Sequence, residues 1–587
     1  MKNQSKSAFC SLFVCLLISL FLFSCRLYYS NLRPSWGYIK VTTWDALGYY
    51  IYLPSIFIYK DITQLKWLPE IDSTYSLSGG KIYQANRQDN GNYVFKYLGG
   101  IAILELPFFL SGHLMAYIMG FRPDGFSPPY QWAIALGLIL WIVFGIFMLR
   151  KLLWVWFDDI TVALTILLIV LATNMIQYVS VDSGQSHGWL FPLYTILLFA
   201  TMKWHEKPSP FWASLAGFII GLATISRPNE VAMVLIPLLW GTQNREMKRE
   251  KWNLIKSNKL HIFLFILSGF MAILPQLIYW KFASGSFIFN VGSKWDFLMP
   301  HFKVLFGWEK VWFIYTPVTL FFIAGFFLIR RFPFRYSLLI FCLTNIYIII
   351  SWHDWKYGGS YSTRALVQSY PVFAFALAAI IQRIRCTKWQ YLFYPIGAYL
   401  IFLNLFQIWQ YNKTILHYYD MNRKYYCHIY LNPKPSPLDL SLLDSKEWID
   451  PGEDFISDTL LKMDTVLPFV IPARSSFMLC KTPGPIFIQN KSNSDRWIKT
   501  EALIHIKAGH FGSHLITQIH TSDTIILQKV RLFSPISNIG KESEYAFYMK
   551  IPECRTFDTI SVCVSSSEKC TGILLKLRLI QYLKYFQ

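Results

Sequence analysis

The sequence predicts an α-helical multi-pass membrane protein of about eleven transmembrane helices, followed by a β-sandwich-like domain outside the membrane. Three observations carry that expectation. Hydrophobic residues make up 54% of the 587 and charged residues only 15%, whereas a soluble chain of this length shows more charge and fewer long apolar runs. Apolar runs near the length that crosses a bilayer as a helix recur as far as residue 409. Beyond that point the runs shorten and alternate with period two, the pattern of half-buried strands.

The crossings fall at 8–24, 130–149, 160–178, 186–202, 210–225, 226–241, 262–279, 311–329, 336–351, 366–384 and 389–409. With the N-terminus inside, the inner loops carry Arg150 and Lys151; Lys203 and Lys207; Arg245, Lys248, Arg249, Lys251, Lys256 and Lys259; Arg330, Arg331 and Arg335; and Arg383, Arg385 and Lys388. Every inner loop is basic, as the charge bias of cytoplasmic loops requires. Because the basic residues cluster in these loops, the net charge of +21 reads as topology and not as a nucleic-acid partner. An odd number of crossings leaves everything after Trp409 outside.

Two stretches strain this scheme. Residues 100–120 are apolar enough to cross, but counting them would put Arg150 and Lys151 outside and reverse every later loop. They are read as a helix on or dipping into the outer surface, within a long first outer loop, 26–129. Residues 211–241 are too long for one span and short for two. They are read as two short helices joined at Arg227-Pro228-Asn229-Glu230, since proline disfavours α geometry at the residue before it. A turn below the membrane surface is tolerable where it lines a wet cavity.

At the N-terminus, Lys2 and Lys6 precede the first apolar run, and Leu22-Phe23-Ser24-Cys25 resembles a lipoprotein cleavage site. A retained helix is the preferred reading; either reading leaves the following residues outside. The ten cysteines show no metal-ligand spacing, and a disulfide of Cys554 with Cys563 or Cys570 stays open for an external C-terminal region. The domains expected are 1–410, helical and membrane-embedded, and 411–587, a tether and β-rich domain.

The outer loops collect the unusual polar residues: Asp45; Lys96, Tyr97 and Glu105; Arg122 and Asp124; Asp182 and His187; Arg227 and Glu230; Lys294, Asp296 and His301; and the stretch from Trp352 to Arg364. A carboxylate among aromatics at a membrane surface costs free energy unless it is used or paired, which singles out Asp45 beside Trp44. The set suits sugar transfer from a lipid phosphate. That chemistry needs a carboxylate to take the acceptor's proton, cations to stabilise the departing phosphate, aromatics to stack on the sugar, and a groove for the lipid tail. Asp45 suits the first task. Lys96, Arg227, Arg364 and His187 suit the second, and Trp44, Trp295, Trp352 and Trp355 the third. Each has a plainer reading that the sequence leaves open. Asp45 can cap a surface helix, His187 can be a neutral interfacial residue, Arg227 can simply pair with Glu230, and Arg364 can anchor to lipid headgroups. Asp182 can be a solvated loop residue, and His353, Asp354 and Lys356 read as loop charges.

These motifs, in their order and shared sidedness, resemble the GT-C-type glycosyltransferases, which include protein O-mannosyltransferases and aminoarabinose transferases. Trp44-Asp45 resembles their acidic motif, and Phe95-Lys-Tyr-Leu-Gly-Gly-Ile-Ala-Ile-Leu the segment that follows it. Ala223-Thr-Ile-Ser-Arg-Pro-Asn229 resembles their Thr-Arg-Pro turn. Phe306-Gly-Trp-Glu-Lys-Val-Trp-Phe-Ile-Tyr-Thr-Pro317 and Tyr357-Gly-Gly-Ser-Tyr-Ser-Thr-Arg364 look like later outer-loop motifs of bacterial members. The resemblance covers 1–410, and 411–587 matches no recognisable family. It implies a multi-pass protein of the bacterial inner membrane, N-terminus cytoplasmic and C-terminal domain periplasmic. Such a protein is an inverting transferase moving a monosaccharide from a polyprenyl-phosphate donor to a periplasmic acceptor, whether glycan, lipid or protein, with membrane lipids as its surroundings. Asp45 would be the base, with Trp44, Lys96, Tyr97, His187, Arg227, Glu230, Tyr357 and Arg364 binding the donor. Many members carry a second acid beside the first, but Ala46 stands there in this chain. Use of a divalent metal therefore stays open, with Asp45 and His187 as candidate ligands. A flippase or other transporter of lipid-linked saccharides and an oligosaccharide ligase are the rival classes. Transporters tend to show internal repeats and midplane ionisable groups, and the chain shows neither repeats nor inner-face acidic clusters.

Overall fold

A computed structural model describes residues 9–32, 39–79, 81–452, 454–483, 495–509, 512–520, 524–532, 541–551 and 559–584. They form two compact units, Met1–Ile408 and Trp409–Gln587.

The first unit is helical. It opens with α1 (Phe9–Leu32), then the short helices α2 (Asp45–Tyr50), α3 (Tyr52–Phe57) and α4 (Leu68–Tyr75), and a ribbon of β1 (Ala85–Arg87) and β2 (Tyr93–Phe95). Next come α5 (Gly100–Ile118), α6 (Pro128–Trp154), α7 (Asp159–Leu171), a π turn at Gln177–Val181, α8 (Ser186–Glu206) and α9 (Pro210–Thr224). A 3-10 segment (Pro228–Val234) leads to α10 (Leu235–Leu239), α11 (Arg245–Ser257), α12 (Lys259–Ser284), α13 (Lys303–Phe306), α14 (Trp312–Tyr315) and α15 (Thr319–Phe326). The unit closes with α16 (Arg335–Ile350), a 3-10 turn (Arg364–Ser369), α17 (Tyr370–Arg385) and α18 (Gln390–Asn412).

Among the described residues, six helical stretches are long and apolar enough to cross a membrane: Phe9–Asn31, Gly100–Ile118, Pro128–Trp154, Lys259–Ser284, Arg364–Arg385 and Gln390–Asn412. Shorter apolar helices accompany them at Asp159–Leu171, Pro210–Thr224, Pro228–Leu239 and Arg335–Ile350. The chain is a multi-pass membrane protein. Its interior is lined by α17, which is buried along nearly its whole apolar length, and by α8. α9 and α12 approach each other closely. A Cβ on Gly217 would stand 1.9 Å from the Phe265 carbonyl oxygen, and one on Gly221 2.3 Å from that of Gly269. Small residues let two backbones approach where lipid gives no hydrophobic drive.

Three expected spans are broken in the structure. The 311–329 stretch is divided into α14 and α15, because Pro317 supplies no N–H and the Thr316 hydroxyl turns back onto the Trp312 carbonyl. The 160–178 stretch ends its α geometry at Leu171 and resumes as the π turn. At 226–241, Arg227 is extended and Pro228 opens the 3-10 segment. That is the break expected at Arg227–Glu230, although the second piece is mostly 3-10. The first helix, expected to end at residue 24, continues to Leu32.

α5 has the length and composition of a span, yet both its ends are tied to the same loop layer. At its start, the Tyr52 hydroxyl donates to the Tyr97 carbonyl. Beyond its end, the Tyr59 hydroxyl donates to the Asp124 carbonyl (3.0 Å) and Arg122 pairs with Glu70 at 2.7 Å. Between them Tyr50 and Phe57 of α2 and α3 pack on Phe109 of α5. Both ends of α5 thus meet residues 50–75.

The second unit begins with α19 (Arg423–Ile429) and α20 (Pro437–Ser441), the latter started by a reciprocal Ser436–Asp439 capping box. Eight strands follow: β3 (Phe455–Ile471), β4 (Ser475–Pro483), β5 (Arg496–Ala508), β6 (Ser513–His520), β7 (Ile525–Arg531), β8 (Glu542–Ile551), β9 (Thr559–Ser566) and β10 (Cys570–Lys584). They form two antiparallel four-stranded sheets in the orders β3-β10-β5-β8 and β4-β9-β6-β7. One core draws on both, with Ile498, Ile504, Phe547 and Leu577 from the first sheet and Leu515, Ile519 and Val562 from the second. The period-two alternation read from the sequence is therefore a sandwich. Arg531 forks onto Asp444, 2.6 Å from Nη2 to Oδ1, joining the stretch before the strands to β7. Cys563 and Cys570 are free thiols, and Cys554, their proposed partner, lies outside the described residues.

Candidate active site

The backbone that delivers Asp45 is clamped on both sides. Gln131 of α6 accepts from the N–H groups of Val41 (2.9 Å) and Thr42 (3.2 Å). The Trp44 N–H donates to the Leu77 carbonyl, and Gln84 donates to the Trp44 carbonyl. Between these holds Trp44 takes φ 54° and ψ −127°, a conformation that side chains rarely adopt. Strain of this kind persists only where the surroundings over-determine it, and it gathers at functional sites.

Asp45 itself starts α2. Its Oδ1 accepts from the hydroxyls of Tyr83 (2.8 Å) and Tyr97 (2.7 Å), and its Oδ2 from Arg364 Nη2 at 2.6 Å. Burial pushes this carboxyl up, but the Arg364 charge and the three hydrogen bonds outweigh it and hold Asp45 below the usual carboxylate range. Burial and the carboxylate together push the Tyr83 and Tyr97 phenols well above their ordinary value, so both remain hydroxyl donors.

A second group faces the same space. Arg227 Nη1 lies 3.1 Å and 3.2 Å from the two ring nitrogens of His187. The His187 Nδ1–H donates to Gln368 Oε1 (3.0 Å), and Gln368 Nε2 donates to Glu230 Oε1 (3.1 Å). Glu230 also accepts from Asn229 (2.8 Å) and from the Tyr194 hydroxyl. Arg227 is 4.0 Å from Glu230, a loose pair. Lys96 places its ammonium 5.9 Å from the ring centroids of both Tyr83 and Tyr97.

These residues enclose a cavity of about 290 Å³. Of the residues expected from sequence, it is lined by Asp45, Lys96, Tyr97, His187, Arg227, Tyr357 and Arg364. Trp295 and Trp352 also line it, edge to face at 4.8 Å and joined by a β-bridge. The Tyr357–Arg364 loop is fixed from behind. The Tyr178 hydroxyl donates to the Tyr361 carbonyl and accepts from its N–H, and Thr363 Oγ1 donates to the Lys310 carbonyl.

Two expected site residues do not line the cavity. Trp44 lays its ring on Gly79, 3.0 Å from where a Cβ would stand, and is 55% exposed; its role is in the backbone. Glu230 is fully buried behind Arg227 with its oxygens committed to Tyr194, Asn229 and Gln368, so it holds the cationic group without meeting a ligand. Among the other outer-loop polar residues, Glu105 is buried within α5, Asp182 accepts locally from Gln177, and Trp355 stacks on His301. Asp296 accepts from His353 and His301 and does not line the cavity. Asp354, read as a loop charge, does line it.

Sequence reasoning missed Tyr83, Tyr49 and Gln185, all on the cavity wall, and Gln368, which bridges His187 to Glu230. Tyr83 stands ten residues from the start of β2 in a chain with 35 tyrosines, and nothing in its spacing marks it.

A divalent metal does not fit this donor set. Asp45 already has both oxygens occupied, and His187 faces the Arg227 guanidinium. Among the described residues, no three of His, Cys, Asp and Glu converge as ligands. The surplus of cations at the wall suits an anion instead.

No known family model matches the chain, and no curated protein matches it. Solved structures do. The chain is similar to ArnT from Cupriavidus metallidurans bound to undecaprenyl phosphate, at 14% identity and a TM-score of 0.38 over 63% of this chain and 60% of that one. It is similar to the Archaeoglobus fulgidus oligosaccharyltransferase in the apo form, at 14% identity and a TM-score of 0.41 over 77% of this chain and 62% of that one. It is also similar to the archaeal oligosaccharyltransferase AglB from Archaeoglobus fulgidus in complex with an inhibitory peptide and a dolichol-phosphate, at 12% identity and a TM-score of 0.35 over 69% of this chain and 57% of that one. The match spans about three fifths of the length of each.

Proposed function

We propose that this protein is an inverting glycosyltransferase that moves a monosaccharide from a polyprenyl-phosphate donor to an acceptor on the outer face of a bacterial inner membrane. The observation that carries the reading is the meeting of Asp45 with Lys96, His187, Arg227 and Arg364 on one aromatic-walled cavity. The cavity's wall comes from segments assigned to the outer side, and none of the inner-loop lysines or arginines is part of it. The common attachment of both ends of α5 supports the same topology, in which α5 stays with the outer layer and the C-terminal sandwich is periplasmic.

In the reaction, the acceptor hydroxyl attacks the anomeric carbon from the side opposite the phosphate. Its proton passes to Asp45, the new C–O bond forms, and the sugar–phosphate bond breaks with its electron pair on the phosphate oxygen. Lys96, Arg227 and Arg364 stabilise that charge. Trp295 and Trp352 offer faces for the sugar ring. A volume near the lower edge of small-ligand pockets, about 300 Å³, suits one sugar phosphate better than an oligosaccharide.

The test is transfer of labelled sugar from polyprenyl-phosphate donors by purified protein in detergent. Asp45→Asn is expected to lower turnover about a thousandfold while the protein still folds, with a lower thermal unfolding midpoint from the lost ion pair. An Asp45→Asn variant with full turnover would refute the assignment.

A further inference from the structure

The cavity holds its would-be base in a weakened state. A carboxylate offers about four lone-pair sites, and Asp45 has both sites of Oδ1 filled by tyrosine hydroxyls and one site of Oδ2 filled by the Arg364 guanidinium, whose charge lowers its basicity. One of these partners has to leave before Asp45 recovers the basicity of an ordinary carboxylate. The two tyrosines are poor candidates. Tyr97 packs edge to face on Tyr49 at 4.8 Å, and the Gly48 backbone lies against its ring, where a Cβ would stand 2.0 Å away. Both are neutral donors with little to gain from an incoming anion.

Arg364 differs on each count. Its Nη1 has only a long contact to Gln185 Oε1, 3.3 Å, and its Nε is buried without a partner among the described residues. A guanidinium carries five N–H donors, so this one is under-used where it stands. Its backbone is anchored through Tyr361 and Thr363, so only the side chain needs to move. It shares the cavity wall with Lys96 and Arg227, where a phosphate would settle. Planar bidentate pairing with phosphate is the geometry a guanidinium favours.

We infer that Arg364 guards Asp45 in the resting protein and passes from the carboxylate to the donor phosphate, uncovering Oδ2 as the proton-accepting oxygen only once donor is bound. This rests on the proposed transferase reading. It makes Arg364 a donor ligand whose binding is coupled to the base, with Tyr83 and Tyr97 as positioning residues that keep Oδ1 fixed throughout. The sign of the coupling follows. Loss of the Arg364 charge lets the Asp45 carboxyl rise toward its ordinary range, so donor binding strengthens the base. It also forces an order, donor before acceptor, which protects the bound base from idle chemistry.

The experiment is a binding cycle with a short polyprenyl monophosphate in detergent micelles, read by calorimetry for the wild type, Asp45→Asn, Arg364→Gln and the double variant. The handover makes Asp45 a competitor of the ligand, so Asp45→Asn is expected to tighten binding about tenfold, while Arg364→Gln weakens it. The gain from Asp45→Asn should largely vanish in the Arg364→Gln background, because no guanidinium remains to be released. A gain of equal or larger size in that background means simple charge repulsion and overturns the handover, as does unchanged or weaker binding by Asp45→Asn. Failure of the wild-type protein to bind polyprenyl monophosphate at all would sink the transferase reading itself, which separates the two failures.

Discussion

Two aspartate–arginine pairs in the helical unit look alike as contacts and differ in everything around them. Asp158 pairs with Arg385, and Asp45 pairs with Arg364 at 2.6 Å. Asp158 is the N-cap of α7. It accepts from the backbone and hydroxyl of Thr161, and Arg385 also donates to that hydroxyl at 2.8 Å. Thr161, three positions on, closes one side of the set and Arg385, 227 positions away, the other, and Asp158 does not line the Asp45 cavity. Asp45 draws its partners from residues 38, 52 and 319 positions away and opens onto an enclosed volume. An ion pair that completes a helix end is structure. Each arginine has a buried Nε without a partner among the described residues, so what sets Arg364 apart is the cavity beside it, where an anion can take its donors.

The comparison can be broken or sharpened by treating the two pairs alike. Asp45→Asn carries the largest expected effect, the roughly thousandfold loss of turnover given above, whereas Asp158→Ala is expected to leave turnover in place. Glu230→Gln comes next. Glu230 gathers Tyr194, Asn229 and Gln368 and thereby seats Arg227 and His187. Its loss should raise the donor KM about tenfold, some 1.4 kcal/mol, with a smaller change in kcat; a purely structural residue would lower both through loss of folded protein. Asp158→Ala should show its effect in unfolding, at about 1 kcal/mol for a lost N-cap, seen as a lower thermal midpoint in detergent.

The smallest effect is a pH shift. Asp45 is held low in the free protein, so kcat/KM should persist at acid pH and fall only as pH drops below the ordinary carboxylate value near 4. The same depressed value means that Asp45 contributes stability above its unfolded pKa, and that this is lost as pH falls through the folded one. Tyr83→Phe removes one donor from Oδ1, so the acid limb of the kcat/KM profile should move to higher pH. A limb that does not move would show that Tyr83 does not act on the carboxylate.

Much of this site was legible before any fold was known, and for a physical reason. Ionisable residues are so costly in apolar surroundings that Asp45, His187, Arg227 and Arg364 stood out against long hydrophobic runs, and a single topology put them on one side. Pro228 marked the break in the helices from its missing N–H and its effect on Arg227. Glu230 was over-read, because a charge next to Arg227 in sequence does not reveal that its carboxylate turns away from the cavity. Trp44 was over-read in the same way, since only the backbone angles show that its importance lies in presenting the next residue. Tyr83, Tyr49 and Gln185 carry no such signal, being ordinary residues in an aromatic-rich chain.

The sequence by itself determined the class of the molecule, the sandwich that closes it and the residues whose charge has to be used. Hydrophobic periodicity and the cost of buried charge are local properties, readable along a single chain. Only the tertiary structure decided that Asp45 rests against Arg364, that two tyrosines share one of its oxygens, and that Glu230 stands behind the site. Those are choices of partner among residues as many as 319 positions apart, and no local rule of pattern or propensity fixes which distant donor reaches a given oxygen.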